Sequence, residues 1–349
     1  MSGKASLTII LLFMALLTAC ASPVARAALA TPEANPNDIV LTGGTYGTLT
    51  YDQSGTPDDW VVVWGNYSTA QCIRVEGEYI IVRDMIVEGC DDHGILVSGK
   101  HVVIEDNKVT RIESDRFTSD GSYCTTDGEF GSAIKMMIGA EDVTVRNNMV
   151  HHNCGEGIAA TRATNILIEG NHVYDNHNVD IYIDNSHDVT VRNNVVTCDQ
   201  WAVAPGTNGN GIALGEEDYG PEWGAQLHDV LITENTVRGC RIGIVTFSSL
   251  LGGVLRDIKI DNNRIETGLE RSISVLSPAA QNVTITNNGV WTTAFTIVPE
   301  TGVSVSDNYI LTDAATLTLP PPNTQATAAP NAAPTVCEFS PSFMICTRP

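Results

Sequence analysis

Val143-Thr144-Val145-Arg146-Asn147-Asn148-Met149-Val150 is the stretch that decides the fold. Val143 and Val145 alternate with polar neighbours as a half-buried strand requires, Asn147 is a residue type that tolerates a left-handed backbone, and Val150 resumes the apolar pattern two places after Asn148. The same frame, apolar-x-x-Asn-x-apolar, returns from Ile104 to Val109 around Asn107, from Ile168 to Val173 around Asn171, and from Val191 to Val196 around Asn194. Asn235, Asn263, Asn288 and Asn308 sit in the same setting. Successive intervals are 41, 23, 23, 41, 28, 25 and 20 residues. One rung is thus about 20 to 25 residues plus insertions, the period of a solenoid.

Asp106, Asn147, Gly170, Asn193, Glu234, Asn262, Asn287 and Asp307 precede these asparagines, and all but Glu234 are Asn, Asp or Gly. A tight corner is expected at the same place in every rung. The asparagine after it would point inward, where amides stacked at the strand spacing of about 4.8 Å bond each other and satisfy groups that burial otherwise penalises. A second strand follows in each rung, marked by Gly94-Ile95, Ala133-Ile134, Gly157-Ile158, Asp180-Ile181, Gly211-Ile212, Gly243-Ile244 and Ser272-Ile273. Two places on, Val97, Met136, Ala160, Ile183, Leu214, Thr246 and Val275 share the inward face. A leucine-rich horseshoe would need a Leu-x-x-Leu-x-Leu frame and helical returns, which this chain lacks.

These rungs, with the opening Asp38-Ile39-Val40-Leu41-Thr42-Gly43-Gly44-Thr45-Tyr46 and the later Ser54-Gly55-Thr56, resemble the right-handed parallel β-helix repeat proteins of the pectate-lyase-like superfamily. The resemblance covers residues 36–312. It implies an all-β solenoid of nine to ten rungs with an internal asparagine ladder, and a substrate groove over the Gly-Ile sheet, bordered by loops. It does not fix the chemistry, since this fold hosts lyases, hydrolases, epimerases and binding proteins.

Residues 1–19 carry Lys4 and the apolar run Leu7 to Leu17, too short to span a membrane with normal flanks, and read as a secretory signal. Leu17-Thr18-Ala19-Cys20 looks like a lipobox, which would make Cys20 the lipidated first residue and tie the protein to a membrane through its anchor. Ordinary cleavage after Ala25-Arg26-Ala27 also fits the small-x-small rule, and export holds either way. Beyond Cys20 there remain eight cysteines of the nine, an even number suited to an oxidising compartment. In the rung frame Cys198 and Cys240 follow ladder asparagines of successive rungs, Cys124 lies just ahead of the rung whose turn holds Cys154, and Cys337 and Cys346 bracket a terminal loop. Residues 20–35 read as an exported linker, 36–312 as the coil, and 313–349 as a Pro/Ala/Thr-rich tail with a small cysteine-bounded end.

The formal net charge is −22 with basic residues scattered, which argues against nucleic acid as a partner and weighs against polyanionic sugars unless a local cation reverses the field. The expected partner is a polysaccharide or cell-surface glycan, and a monomer is expected.

Insertions Glu113 to Phe130, Asp199 to Asn208 and Glu216 to Gln226 flank the Gly-Ile strands. By strand parity the outward residues there are Lys135 and Met137, then Gly157, Ala159 and Thr161, then Asp180, Tyr182 and Asp184. Small Gly157 and Ala159 would leave a trough between Lys135 and Tyr182, about 10 Å apart. Lys135 could take the proton beside a uronate carboxylate, Tyr182 could protonate the leaving oxygen, and Arg162 could bind the carboxylate through two parallel hydrogen bonds. Thr161, Asp180, Asp184, Trp201 and Trp223 are the substrate-binding candidates, the tryptophans by stacking on sugars. A calcium site would need Asp184 with the acidic loop Glu216-Glu217-Asp218. Glu156 and His93, two places before the isoleucine, face inward by parity and read as turn contacts. Asp91-Asp92-His93-Gly94 is similar to a fragment of polygalacturonase motifs, but the accompanying Gly-His-Gly and Arg-Ile-Lys elements are absent, and Ala159-Ala160-Thr161 stands where mannuronan epimerases have Asp-Pro-His. The leading expectation is a polysaccharide lyase, and its rival is a non-catalytic glycan-binding or structural surface β-helix.

Overall fold

The computed structural model describes residues 36–117, 124, 131–198, 209–221, 224, 226–250, 252–266, 271–291 and 295–311, and the backbone of a terminal hairpin, Val336–Ser340 with Phe343–Thr347. Cys20, Trp201 and Trp223 lie outside the described residues, as does the Asp199 to Asn208 insertion.

The coil is a parallel β-helix. One rung runs through strand Glu141–Arg146, the corner at Asn147 and Asn148, short strand Met149–His151, a turn, Gly-Ile strand Glu156–Thr161, and the corner at Arg162 that leads into Thr164–Glu169 of the next rung. Strands equivalent to Glu141–Arg146 stack into an eleven-stranded parallel sheet, more than the nine to ten rungs expected. The others form a nineteen-stranded sheet made of two ladders side by side, which Thr45–Tyr51 and Thr69–Val75 join by running through both. The signature isoleucines are in register, with Ile95 opposite Ile134, then Ile158, Ile181, Ile212, Ile244 and Ile273.

All eight corner residues before the ladder asparagines have positive φ, between 54° and 64°. The asparagines after them are linked by side chain: Nδ2 of Asn107, Asn148, Asn171, Asn194, Asn235, Asn263 and Asn288 each donates to Oδ1 of the next, at 2.9–3.1 Å. The backbone N–H of the same residue donates to that same oxygen, and Nδ2 also reaches a strand carbonyl of the preceding rung, such as Val145 O from Asn171. Every amide is therefore used, which is what makes burial of polar residues tolerable here. At the head of the ladder Met85 fills the asparagine place and only its backbone N–H donates, to Asn107 Oδ1.

A second, shorter polar ladder at the opposite corner is not visible in the repeat. Asn153 Nδ2 donates to Asn176 Oδ1 at 2.6 Å, and Asn176 Nδ2 to Asp180 Oδ1 at 2.7 Å. Cystines link Cys72 to Cys90, Cys124 to Cys154 and Cys198 to Cys240. Three such bonds suit an exported protein, because thiols in a reducing cytosol stay reduced.

Candidate functional site

Outside the coil core, the Gly-Ile sheet carries a row in register: Lys135, Ala159, Tyr182, Ala213 and Val245. A cleft of about 380 Å³ lies over the N-terminal part of this sheet. His93, Lys135, Met137, Thr161 and Arg162 line it from the sheet and its edges, Glu113 and Arg116 from the first insertion, and Tyr219 from the third.

The cleft sits nearer the N-terminus than the trough expected from the sequence. Ala159 and Tyr182 are not open to solvent but belong to a separate apolar cluster on the outer face, with Val179, Ala213, Ile242 and Val245, and with Phe247 and Leu276 packed against it. The Tyr182 ring stacks on Phe247, centroids 6.3 Å apart, and its hydroxyl donates to Glu217 Oε1 at 2.6 Å. A Cβ at Gly215 would stand 2.4 Å from that hydroxyl, so only glycine lets it pass. Burial, then the nearby Asp184 and Glu217, push the Tyr182 phenol well above its usual range. The role expected for Tyr182 as proton donor to a leaving group is corrected: the side chain is buried in that apolar cluster and does not line the cleft.

Gly157 and Asp180 also leave the trough. A Cβ at Gly157 would strike Asp180 O at 2.3 Å and the core methyl Cγ1 of Val173 at 2.7 Å, so this position faces packed atoms and not an open trough. Asp180, equivalent in position, is fully buried and accepts from Asn176. Strand parity fails at these places although both lie inside strands, Glu156–Thr161 and Val179–Asp184. Nor is Glu156 the turn contact facing the core that parity implies. Its Oε2 accepts from Ser132 Oγ at 2.6 Å and lies 3.8 Å from Lys135 Nζ. His93 likewise reaches the cleft, where its Nδ1 accepts from Ser132 N at 2.9 Å.

At the other end, Thr161 pairs in register with Asp184. The Tyr219 hydroxyl donates to Asp184 Oδ2, and the Arg162 guanidinium stacks over the Tyr219 ring with Cζ 4.3 Å from its centroid. Asn185 fastens the loop that brings Tyr219 there, since its Oδ1 accepts from Glu217 N at 2.6 Å and its Nδ2 donates to Glu217 O at 3.0 Å. Burial and the charge of Glu217 raise the Asp184 carboxyl to about 8, against the opposing effect of the Tyr219 hydrogen bond. Burial raises Glu156 as well, opposed by Lys135 and Ser132. Glu113 is raised to about 7 by burial, although Gly131 N donates to it. Thr161 Oγ1 is buried with no hydrogen-bond partner among the described residues.

The calcium set does not assemble. Glu216 turns its carboxylate to Ser248 and Gly253 of the next rung, Asp218 Oδ1 accepts from Gly220 N in its own turn, and only Asp184 and Glu217 remain neighbours. Among the described residues the one close group of metal-type side chains is Asp180 with Cys198 and Cys240, whose sulfurs are spent in a disulfide.

Residues 67–220 match the family described as right handed beta helix region. No curated protein matches the chain. Among solved structures, the pectate lyase Pel9A is similar with a TM-score of 0.50 at 15% identity, covering 78% of this chain and 70% of that one. An alginate lyase from Paenibacillus sp. str. FPU-7 gives 0.42 at 15%, covering 80% and 92%. The catalytic unit of a GH87 α-1,3-glucanase from Streptomyces thermodiastaticus strain HF3-3 gives 0.45 at 14%, covering 79% and 61%. At such identities the likeness is one of fold, and the chain is a right-handed parallel β-helix.

Proposed function

We propose that this protein is an exported polysaccharide-active enzyme, a lyase that cleaves a uronate-containing polymer by β-elimination in the cleft over the Gly-Ile sheet. The observation that carries this reading is the grouping of Lys135, Arg162 and the Tyr219–Asp184 pair around one cleft in a chain of net charge −22. The Arg162 guanidinium gives a uronate carboxylate a place that the rest of the surface denies it.

In the reaction, Arg162 binds and orients the carboxylate. Lys135 Nζ, as the neutral amine, takes the proton from the carbon beside the carboxylate and becomes an ammonium. The released electron pair forms the ring double bond as the glycosidic C–O bond breaks, and the Tyr219 O–H gives its proton to the departing oxygen. Asp184, raised to about 8, returns a proton to Tyr219; Lys135 then releases the proton it took to water and Asp184 takes one back from water, which restores both groups for the next turnover. Attachment of the exported chain through a lipidated Cys20, and a monomeric state, complete the reading.

Glu113 supports a second reading. With Asp184 it makes two carboxyl groups raised to about 7 and about 8, the equipment of a general acid in glycoside hydrolysis. Products decide between them. Elimination yields unsaturated uronic ends that absorb in the ultraviolet, whereas hydrolysis yields new reducing ends without that absorbance. Glycan binding with neither product would sink both enzymatic readings and leave a binding module.

A further inference from the structure

We propose that the end of the cleft formed by Asp91, Asp92 and His93 is a binding position for an uncharged sugar residue, which it holds by a hydroxyl group placed between His93 Nε2 and the Asp92 carboxylate. This rests on the reading of the cleft as a polysaccharide site and adds a substrate class to it: a polymer in which a neutral sugar adjoins the uronate.

The tautomer of His93 carries the inference. Ser132 N is a backbone amide and can only donate, so His93 Nδ1, 2.9 Å away, must accept. The single proton of the neutral ring is then on Nε2. Nε2 lies 3.4 Å from Asp92 Oδ1, long for a hydrogen bond, and both residues line the cleft. A donor and an acceptor thus stand side by side, too far apart to satisfy each other well. One hydroxyl oxygen can accept from Nε2–H and donate its own hydrogen to Asp92, which neither a carboxylate nor an ammonium group can do.

The charged groups facing the ring are Asp92, Lys135 and Arg74. Burial lowers the imidazole to about 4, Asp92 opposes this, and Lys135 and Arg74 add to it. The ring therefore remains a neutral donor through the physiological range. Asp91 and Asp92, the latter 3.6 Å from Arg74 Nη2, make this end less favourable for a second carboxylate, while Arg162 marks the opposite end for one.

The test uses full-length protein labelled with 15N-histidine. Without any ligand, the His93 imidazole is expected to show the Nε2–H tautomer from pH 5 to 8, and a Nδ1–H tautomer, or a titration midpoint above pH 6, overturns the proposal. Neutral tetrasaccharides (β-1,4-galactotetraose, cellotetraose, mannotetraose) are then compared with tetragalacturonate. At least one neutral probe is expected to shift His93 Nε2. His93→Phe should weaken that probe about tenfold, roughly one hydrogen bond, with His93→Gln losing less because its amide can donate from nearly the same place. Response to the uronate alone, with the tautomer intact, overturns the neutral-sugar position and leaves the polysaccharide reading standing. Response to no probe overturns both.

Discussion

Lys135 Nζ lies 3.8 Å from Glu156 Oε2, and both side chains are largely shielded from water on the outer face of the Gly-Ile sheet. Such a pair is a poor source of net stability, but breaking it leaves one uncompensated group. Glu156→Gln alone and Lys135→Met alone should each cost about 1–3 kcal/mol in urea unfolding. The double variant should cost less than the sum of the two. Additive losses would mean that the two groups do not interact.

Replacing Asn171 with Leu removes the acceptor of Asn148 and the donor to Asn194. Two buried amides lose a partner, at about 1–3 kcal/mol each. A clear drop in the urea midpoint is expected, with amide exchange rising first at 148 and 194. Melting like the parent would remove the ladder from the list of what holds the coil together.

Asp184 gives stability a dependence on pH. Its folded carboxyl titrates near 8 and its unfolded one near 4. The folded state therefore keeps a proton that the unfolded state has lost, and stability from this group is full below about pH 4 and falls as pH rises to about 8. Glu113 acts with the same sign up to about 7, and His93, lowered to about 4, with the opposite sign between about 4 and 6.5. The comparison that isolates Asp184 is the difference between the parent and Asp184→Asn. The variant should lose less stability between pH 5 and 8, by up to one proton or about 1.4 kcal/mol per pH unit. Parallel pH profiles would show that Asp184 is ionised in the folded state.

Ala159→Trp, which an open trough would accept, is expected to destabilise the protein by about 1–3 kcal/mol. Residue 159 is sealed in the outer apolar cluster beside Tyr182, and added volume there means overpacking. Met137→Trp, at the cleft wall, should instead leave the urea midpoint near that of the parent and weaken polysaccharide binding. Equal stability of both variants would place 159 at the surface.

The coil was legible because each rung repeats its own local signals. A left-handed corner needs Asn, Asp or Gly, an inward amide needs another amide a rung away, and both leave a residue type at a fixed offset, as Asn147 and Asn148 do. Register across the Gly-Ile sheet followed from the isoleucines, and Lys135, Thr161 and Arg162 do gather at one cleft. Two physical effects hid the rest. Strand parity predicts faces only along a regular strand, and it fails at Glu156, Gly157 and Asp180, at the first residues of strands Glu156–Thr161 and Val179–Asp184, and at His93, just ahead of Ile95–Val97. Whether an outward residue meets water depends on what covers it, and Tyr182 is covered by Phe247, whose strand Ile242–Ser248 is two rungs away. Tyr219 carries no repeat signal at all. It meets Asp184 from a loop that Asn185 fastens through Glu217.

Turnover and binding by Lys135→Ala test the assignment of the cleft most directly. Parent and variant are incubated with uronate polysaccharides while the ultraviolet absorbance of unsaturated products is followed, and affinity for the same polymer is measured in parallel. The parent should release unsaturated products, and Lys135→Ala should lose them by at least about a hundredfold while binding changes by less than about tenfold, the pattern of a group that acts mainly in the transition state. Undiminished turnover in Lys135→Ala would contradict the assignment and move the chemistry away from this cleft.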